Sequence, residues 1–399
     1  MLRAVSARAL ASMSLAARAA ARGSRGARAA SLGAPRALAP RLVGGAFRHA
    51  PRSRPAWVVP RRGAFSSRAS SRAAAATDEG AGTSTASSVY ANPELYELAF
   101  GFRDFDTEAA FLASLCETHG SGRLRSLLEL GAGPAWHSVS CVTTQGPCVA
   151  VALDNAPAML ARASQRARER GCEGSVAVVS GDMTAFDVDA VKAAARALVP
   201  LRSEDEDVSG SKPDGFIEDG FDMVTVLLGT AAHLTDLEDA EKCLRRASRS
   251  LARDGLVVLE LEHPFDVFDG QLMDAQGDAW DREVEDGDLK GAKVLVEWGR
   301  EGDFFDVETQ IVERTVGLNV VDGETGAPFV AKDGAVAFAP VEEIVRCRVF
   351  TAPEMALLGK LAGLTVVATF GDMDASVPLT HEDANNMVIV LKRADEAER

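Results

Sequence analysis

Three carboxylates stand at or just past the ends of successive apolar runs: Glu129, Asp154 and Asp182. A glycine turn follows the first of them. The segment LLELGAGPAWHS, residues 127–138, places Gly131 and Gly133 where a strand gives way to a helix. Glycines there let the chain turn sharply and bring backbone N–H groups close to a ligand at the helix N-terminus. A G-x-G turn also serves dinucleotide enzymes, whose fingerprint adds a third small residue three places after the second glycine. Trp136 occupies that place, and its bulk opposes a pyrophosphate. A carboxylate at Glu129 would also repel a pyrophosphate, but it suits the α-ammonium of a methionine moiety. Asp154, about twenty residues on, is placed to accept both hydroxyls of a ribose. Asp182 and Met183 have the types that would meet an adenine amino group and ring face. The combination specifies S-adenosylmethionine (SAM) over a nicotinamide dinucleotide.

Positioning these residues requires strands that share one edge. Apolar runs at 126–130, 148–153, 175–179, 221–228 and 256–261 read as five strands, and helical patterns separate them: 135 onward, 156–170, the Ala/Val-rich stretch after Met183, and 236–252. Alternation of this kind predicts a parallel sheet covered on both faces, with ligands at the C-terminal strand ends. The aromatic stretch 90–105 and a helix opening at Asp106 precede the first strand and predict a lid or an edge helix. The alternation then stops. Segments 293–298, 304–316 and 341–350 read as successive strands of an antiparallel insertion spanning 265–350. Thr351-Ala-Pro-Glu354 forms a capping box that opens a helix ending at Gly363. Strands at 364–370 and 387–391 close the chain as a hairpin. The acidic stretch 202–215 reads as a surface loop.

With these motifs in order, the sequence resembles the class I SAM-dependent methyltransferases, and among them small-molecule enzymes of the amino-sugar N-methyltransferase type. The likeness rests on Tyr96 with Arg103-Asp104, Gly133 to His137, Asp154 to Met159, Gly181 to Met183 and Phe350-Thr351 to Met355. It implies a Rossmann-like seven-stranded sheet with a C-terminal antiparallel hairpin and an antiparallel β-insertion. It also implies that Tyr96 (or Tyr90) and Arg103 close on the cofactor carboxylate. The implied cofactor set is Tyr96, Arg103, Glu129, Gly131, Ala132, Gly133, Asp154, Asn155, Met159, Asp182, Met183 and Leu228. The turn departs from the family pattern at Pro134, and at Ala135, where a third glycine is usual. Because a sulfonium donor is already activated, the protein chiefly orients the nucleophile and excludes water. His233, in LGTAAHL, and His263, in ELEHP, are the general-base candidates, each alternatively a turn or packing histidine. His137 reads as structural.

Composition bounds the rest. Residues 1–76 hold fifteen Arg and no Lys, Asp or Glu, in an Ala/Ser/Gly/Pro background. That is the reading of an organellar presequence, with a linker to residue 88 and the methyltransferase domain at 89–399. Early arginines favour the mitochondrion, and the Ser/Ala-rich remainder also suits a chloroplast. The formal net charge of −15 becomes −30 once those fifteen arginines are set aside. Such a body repels phosphate backbones, and the Asn- or Asp-Pro-Pro-aromatic signature for methylating nucleic-acid bases is absent after the fourth strand. The expected partner is therefore a small-molecule amine or hydroxyl acceptor. The rivals are a non-catalytic or protein-directed SAM-fold factor in organellar complex assembly and, less favoured, a nicotinamide-dependent oxidoreductase. Six scattered cysteines, without C-x-x-C pairs or His clusters, predict reduced core thiols and no metal site. No apolar run reaches the ~18 residues of a membrane span. The sequence carries no sign of oligomeric state.

Overall fold

The computed structural model describes residues 89–198, 219–263, 278–300, 303–331, 334–381 and 383–394. The presequence reading and the acidic loop at 202–215 lie outside the described residues. After a 3-10 turn at Val89–Ala91 come two helices, α1 (Pro93–Phe100) and α2 (Phe105–His119). Asn92 and Asp104 accept hydrogen bonds from Leu95 N–H and Thr107 N–H, which fixes where each helix begins. Then follow β1 (Ser126–Leu130), α3 (Trp136–Thr144), β2 (Val149–Asp154), α4 (Pro157–Glu169), β3 (Val176–Ser180) and α5 (Val188–Leu198). The sheet continues with β4 (Phe221–Val226), α6 (Leu237–Ser250) and β5 (Leu251–Glu262).

The seven-stranded sheet has the order β3-β2-β1-β4-β5 with two further strands beyond β5, namely β12 (Asn386–Arg393) and β11 (Leu364–Phe370). Strands β1 to β5 pair in parallel, whereas β12 runs antiparallel between β5 and β11. Strict alternation sends Leu128, Leu130, Val257 and Leu259 to the face covered by α5, α6 and α7 (Ala352–Leu361). Leu127, Ala150, Leu256 and Val258 go to the face covered by α2, α3 and α4. Glu129 and Glu260 share this second parity, so the sheet delivers two acids beneath α2 and α3.

A separate antiparallel sheet comes from the insertion: β6 (Asp278–Glu283), β7 (Ala292–Trp298), β8 (Phe304–Asp306), β9 (Ile311–Asp322) and β10 (Val341–Arg348), in the order β10-β9-β7-β6 with β8 beside β9. The expected strand 304–316 is in fact two strands that fold back on each other, with Gln310 in a left-handed turn at φ 58°. Strand β6 is an unexpected element. The inner face of this sheet, with Val294, Val296, Val316 and Leu318, packs on Leu95 and Ala99 of α1. Strand β5 begins at Leu251, earlier than the expected 256, and its pairing with β4 slips between Phe221 and Met223. Gly255 makes that passage possible, since a Cβ there would lie 2.5 Å from the Phe221 carbonyl oxygen. All six cysteines are buried and unpaired, and burial pushes most of their thiols up, Cys243 to about 12.

Candidate functional site

The glycine turn leaves β1 through three left-handed residues, Gly131 (φ 62°), Gly133 (φ 51°) and Ala135 (φ 58°). Ala135 accepts a conformation that disfavours a side chain. A Cβ on Gly131 would come within 2.3 Å of Thr230 Cγ2, so glycine there is a packing requirement. A Cβ on Gly133 would meet nothing within 4 Å, so the backbone of this turn borders open space. Asp154 ties the turn to the next strand end: Oδ2 accepts the Gly133 N–H at 2.7 Å, and Oδ1 the Ala156 N–H at 2.8 Å. A carboxylate offers about four lone pairs, so these two bonds leave acceptor capacity on each oxygen. Asn155 and Asp182 are exposed at the same edge, and Asp182 Oδ1 accepts from Thr184 N–H and O–H. Met183 is half-buried against the core, and Ala132 is buried, donating its N–H to the Leu153 carbonyl.

Beneath the turn, on the α2/α3 face, lies a chain of buried charges. Arg103 donates from Nε to Glu108 at 2.6 Å and from Nη1 to Glu260 at 2.7 Å, while its buried Nη2 has no hydrogen-bond partner among the described residues. The second oxygen of Glu108 meets His137 Nε2 at 2.7 Å, and His137 Nδ1 lies 3.4 Å from Glu129 Oε1. Burial disfavours the imidazolium, but the bonds and charges of Glu108 and Glu129 outweigh it and raise His137 to about 9. Burial would likewise raise Glu108, yet His137 and Arg103 hold it below the usual carboxylate range. His137 is thus a cation at neutral pH, clamped between two acids.

Within this chain Glu129 has a protein partner at each carboxylate oxygen. Its Oε2 accepts from Ser138 N–H at 2.9 Å and Ser138 O–H at 2.5 Å, and its Oε1 faces His137. With 4% exposure it caps the start of α3. The donor N–H lies nine residues away in sequence, and bringing the two together takes the strand–turn–helix geometry. Met159, on α4, is 1% exposed.

Over the turn lies α1. Trp136 stacks with Phe105 (centroids 4.7 Å, 11°) and with Tyr96 (5.6 Å, 20°). Burial and the charge of Asp154 raise the Tyr96 phenol to about 12. Glu97 fastens the helix, accepting from Arg162 Nε at 3.0 Å and from Arg166, whose own Nε donates to the Pro134 carbonyl at 3.0 Å. The lid is therefore latched both to α4 and to the glycine turn itself.

No family model matches the sequence, and no curated protein matches it. Among solved structures, an S-adenosylmethionine-dependent methyltransferase from Clostridium acetobutylicum ATCC 824 is similar with a TM-score of 0.52 at 14% identity, over 75% of this chain and 95% of that one. DesVI from Streptomyces venezuelae is similar with a TM-score of 0.50 at 17% identity, over 75% of this chain and 98% of that one. The fold is that of the class I methyltransferases.

On the methyltransferase sheet, the residues past β4 and β5 face the insertion. Leu228, at φ 54°, ends β4 earlier than the expected 221–228 strand, and with Gly229 (φ 72°) it leads into a 3-10 turn, Thr230–His233. His233 Nε2 lies 2.9 Å from the Tyr90 hydroxyl, with the two rings edge-on. Desolvation by the surrounding protein lowers the His233 pKa, although the residue keeps an exposed edge, and burial raises Tyr90 well above its ordinary value. At neutral pH the pair is therefore an uncharged imidazole beside a protonated phenol. His263 is held differently: its Nε2–H donates to the Leu379 carbonyl at 2.8 Å, so this ring tethers the loop between β11 and β12. The structure thus brings His233 to Tyr90 and engages His263 in a backbone tether. Sequence reasoning passed over Glu108 and Glu260. A signal existed for Glu260, which interrupts the apolar run LVVLELE of β5.

Proposed function

We propose that the chain is a SAM-dependent methyltransferase acting on a small-molecule amine or hydroxyl acceptor. The supporting observation is the donor set at one sheet edge: an open glycine turn at Gly133, the Asp154 carboxylate with acceptor capacity left, and Arg103 with a buried Nη2 lacking a partner among the described residues. That set fits the group that the fold implies. Arg103 would hold its carboxylate, Asp154 its ribose hydroxyls, and Asp182 with Met183 its adenine, with Ala132, Asn155 and Leu228 bordering it. Bound there, SAM supplies a methyl group already activated for in-line displacement.

The chain's own residues do the rest. Tyr96 and Phe105 stack with Trp136 and keep water from the turn, and Glu97 holds α1 closed over it. The neutral His233, bonded to Tyr90, can take a proton from an amine or hydroxyl as it is alkylated. The insertion 265–350, packed on α1, serves as the acceptor cap of a domain at 89–399. An acid-free, arginine-rich leader supports import, the mitochondrion before the chloroplast, and the acidic body supports an acceptor other than nucleic acid.

Isothermal titration tests the donor reading: SAM binds, Asp154→Ala abolishes binding, and NADH does not bind. Indifference to SAM, or tight NADH binding, refutes it. Formation of S-adenosylhomocysteine only when an organellar metabolite extract is added distinguishes an enzyme from an assembly factor. Microscopy of a tagged leader identifies the organelle.

A further inference from the structure

Glu260 lies two residues before the end of β5, is 1% exposed, and holds donors from both halves of the site. Its Oε1 accepts from Arg103 Nη1 at 2.7 Å, on the lid side. Its Oε2 accepts the Leu228 N–H at 2.9 Å, and its main-chain carbonyl accepts the Gly229 N–H at 3.2 Å. Leu228 and Gly229 are consecutive left-handed residues, a conformation that an L side chain such as Leu228 holds only when its surroundings enforce it. Four residues after Gly229, the same turn places His233 against the Tyr90 hydroxyl at 2.9 Å. One buried carboxylate thus braces the arginine beside the cofactor turn and the strained turn that carries the candidate base.

We propose that Glu260 is a positioning residue that couples the donor site to the acceptor site, so that occupancy next to Arg103 sets the placement of His233. The proposal rests on the donor and acceptor readings given above. A ligand carboxylate taken up by the partnerless Nη2 of Arg103 would draw on the same guanidinium that Glu260 holds. The opposite oxygen transmits the adjustment to Leu228. By linkage the coupling is reciprocal, so an acceptor engaged at His233 would tighten donor binding. The turn also touches the donor side through Thr230, packed against Gly131.

Glu260→Gln is the informative variant because both partners of the carboxylate are donors. An amide of the same shape can accept from only one of them and sets its own N–H against the other. With the full chain, S-adenosylhomocysteine is titrated by calorimetry, and the His233 ring is followed by NMR, assigned by its disappearance in His233→Asn. In the wild type, saturating ligand is expected to move the His233 ring signals and titration midpoint. In Glu260→Gln, affinity is expected to fall about tenfold, as for loss of one charge-assisted hydrogen bond, and the His233 response at saturation to fall below half. Arg103→Lys keeps Glu260 and its bond to Leu228 but replaces the fork with a single ammonium. It is expected to lose the His233 response in the same way, and it decides the matter if Glu260→Gln does not fold. The proposal is overturned if the wild type binds ligand while His233 stays silent, or if the variants bind and move His233 as the wild type does. Absence of binding to the wild type would overturn the donor reading as well, which keeps the two failures distinct.

Discussion

Substituting His137 should change how the stability of the protein depends on pH, in a direction and by an amount that the buried charge chain fixes. His137 is wholly buried, with Glu108 at 2.7 Å from Nε2 and Glu129 at 3.4 Å from Nδ1. Its pKa rises from an ordinary 6.5 to about 9 in the folded protein. A raised folded-state pKa gives stability that is fully present below the unfolded value, near 6.5, and lost as pH climbs through 9. At about 1.4 kcal/mol per pH unit the full effect is about 3 kcal/mol, and most of it is present at pH 7 and little of it at pH 9. The wild type should therefore lose about 2 kcal/mol over that interval on account of this one group. His137→Gln keeps a donor where Nε2 stood but carries no charge. We expect it to be less stable than wild type by 2 to 3 kcal/mol at pH 7, about the cost of breaking a buried ion pair, and by under about 1 kcal/mol at pH 9. Urea unfolding at pH 7, 8 and 9 under reducing conditions measures this. Both proteins carry the same buried thiols, so subtracting the two curves removes the cysteine contribution. A stability difference that stays constant across pH would refute the charged, clamped histidine.

Gly131→Ala should destabilise by about 3 kcal/mol or more, since it combines a left-handed φ with an overlap on Thr230 Cγ2, and adding Thr230→Ser should restore part of the loss in thermal melts. Gly133→Ala should cost only about 1 kcal/mol in stability while weakening S-adenosylhomocysteine binding at least about tenfold by calorimetry, because its methyl fills the open side of the turn. Asp222 is 2% exposed and accepts from the Arg125 backbone and guanidinium, from Ser126 and from Ser121. Asp222→Asn should lower stability by about 3 kcal/mol in urea titrations, since it strands buried donors. Glu97→Gln should unlatch the lid with little effect on the sheet, seen as amide exchange about tenfold faster in α1 than in wild type with β1 and β4 unchanged.

The sheet was legible in the sequence because its strands are continuous apolar runs ending in carboxylates, and because the antiparallel hairpin lacks an intervening helix. What escaped was structure without a local mark. Strand β6, DAWDRE, has four charged residues in six and lies at the edge of its sheet, where one face meets solvent. The turn between β8 and β9 runs through Gln310 at φ 58°, with neither glycine nor proline to announce it. The start of β5 was hidden by Asp254-Gly255, which reads as a break and is instead a bulge passing Phe221. In the site, residue types at strand ends were readable, but partners were not. The place of Glu129 at a strand end was readable, but its protein partners, Ser138 and His137, are brought to it only by the turn.

The charged chain under the turn explains why the sheet can bury two acids on one face, beneath a third from α2. Glu129 and Glu260 follow from strand parity alone: each points to the α2/α3 side, and neither reaches bulk water. An acid so placed must be paired, because an uncompensated buried carboxylate costs several kcal/mol or takes up a proton. His137 and Arg103 supply the pairing, and Glu108 joins them into one network that runs from β1 through α3 and α2 to Arg103 in the link between α1 and α2. With His137 protonated the cluster holds three acids and two cations. Arg103 stands between Glu108 and Glu260 at the end of that chain, and its remaining guanidinium nitrogen is buried without an acceptor. The network therefore fixes the arginine on one side and leaves its last donor group without an acceptor among the described residues. That is the condition expected of a preorganised anion contact, and it accounts for charges that stability alone would not favour over apolar residues at the same positions.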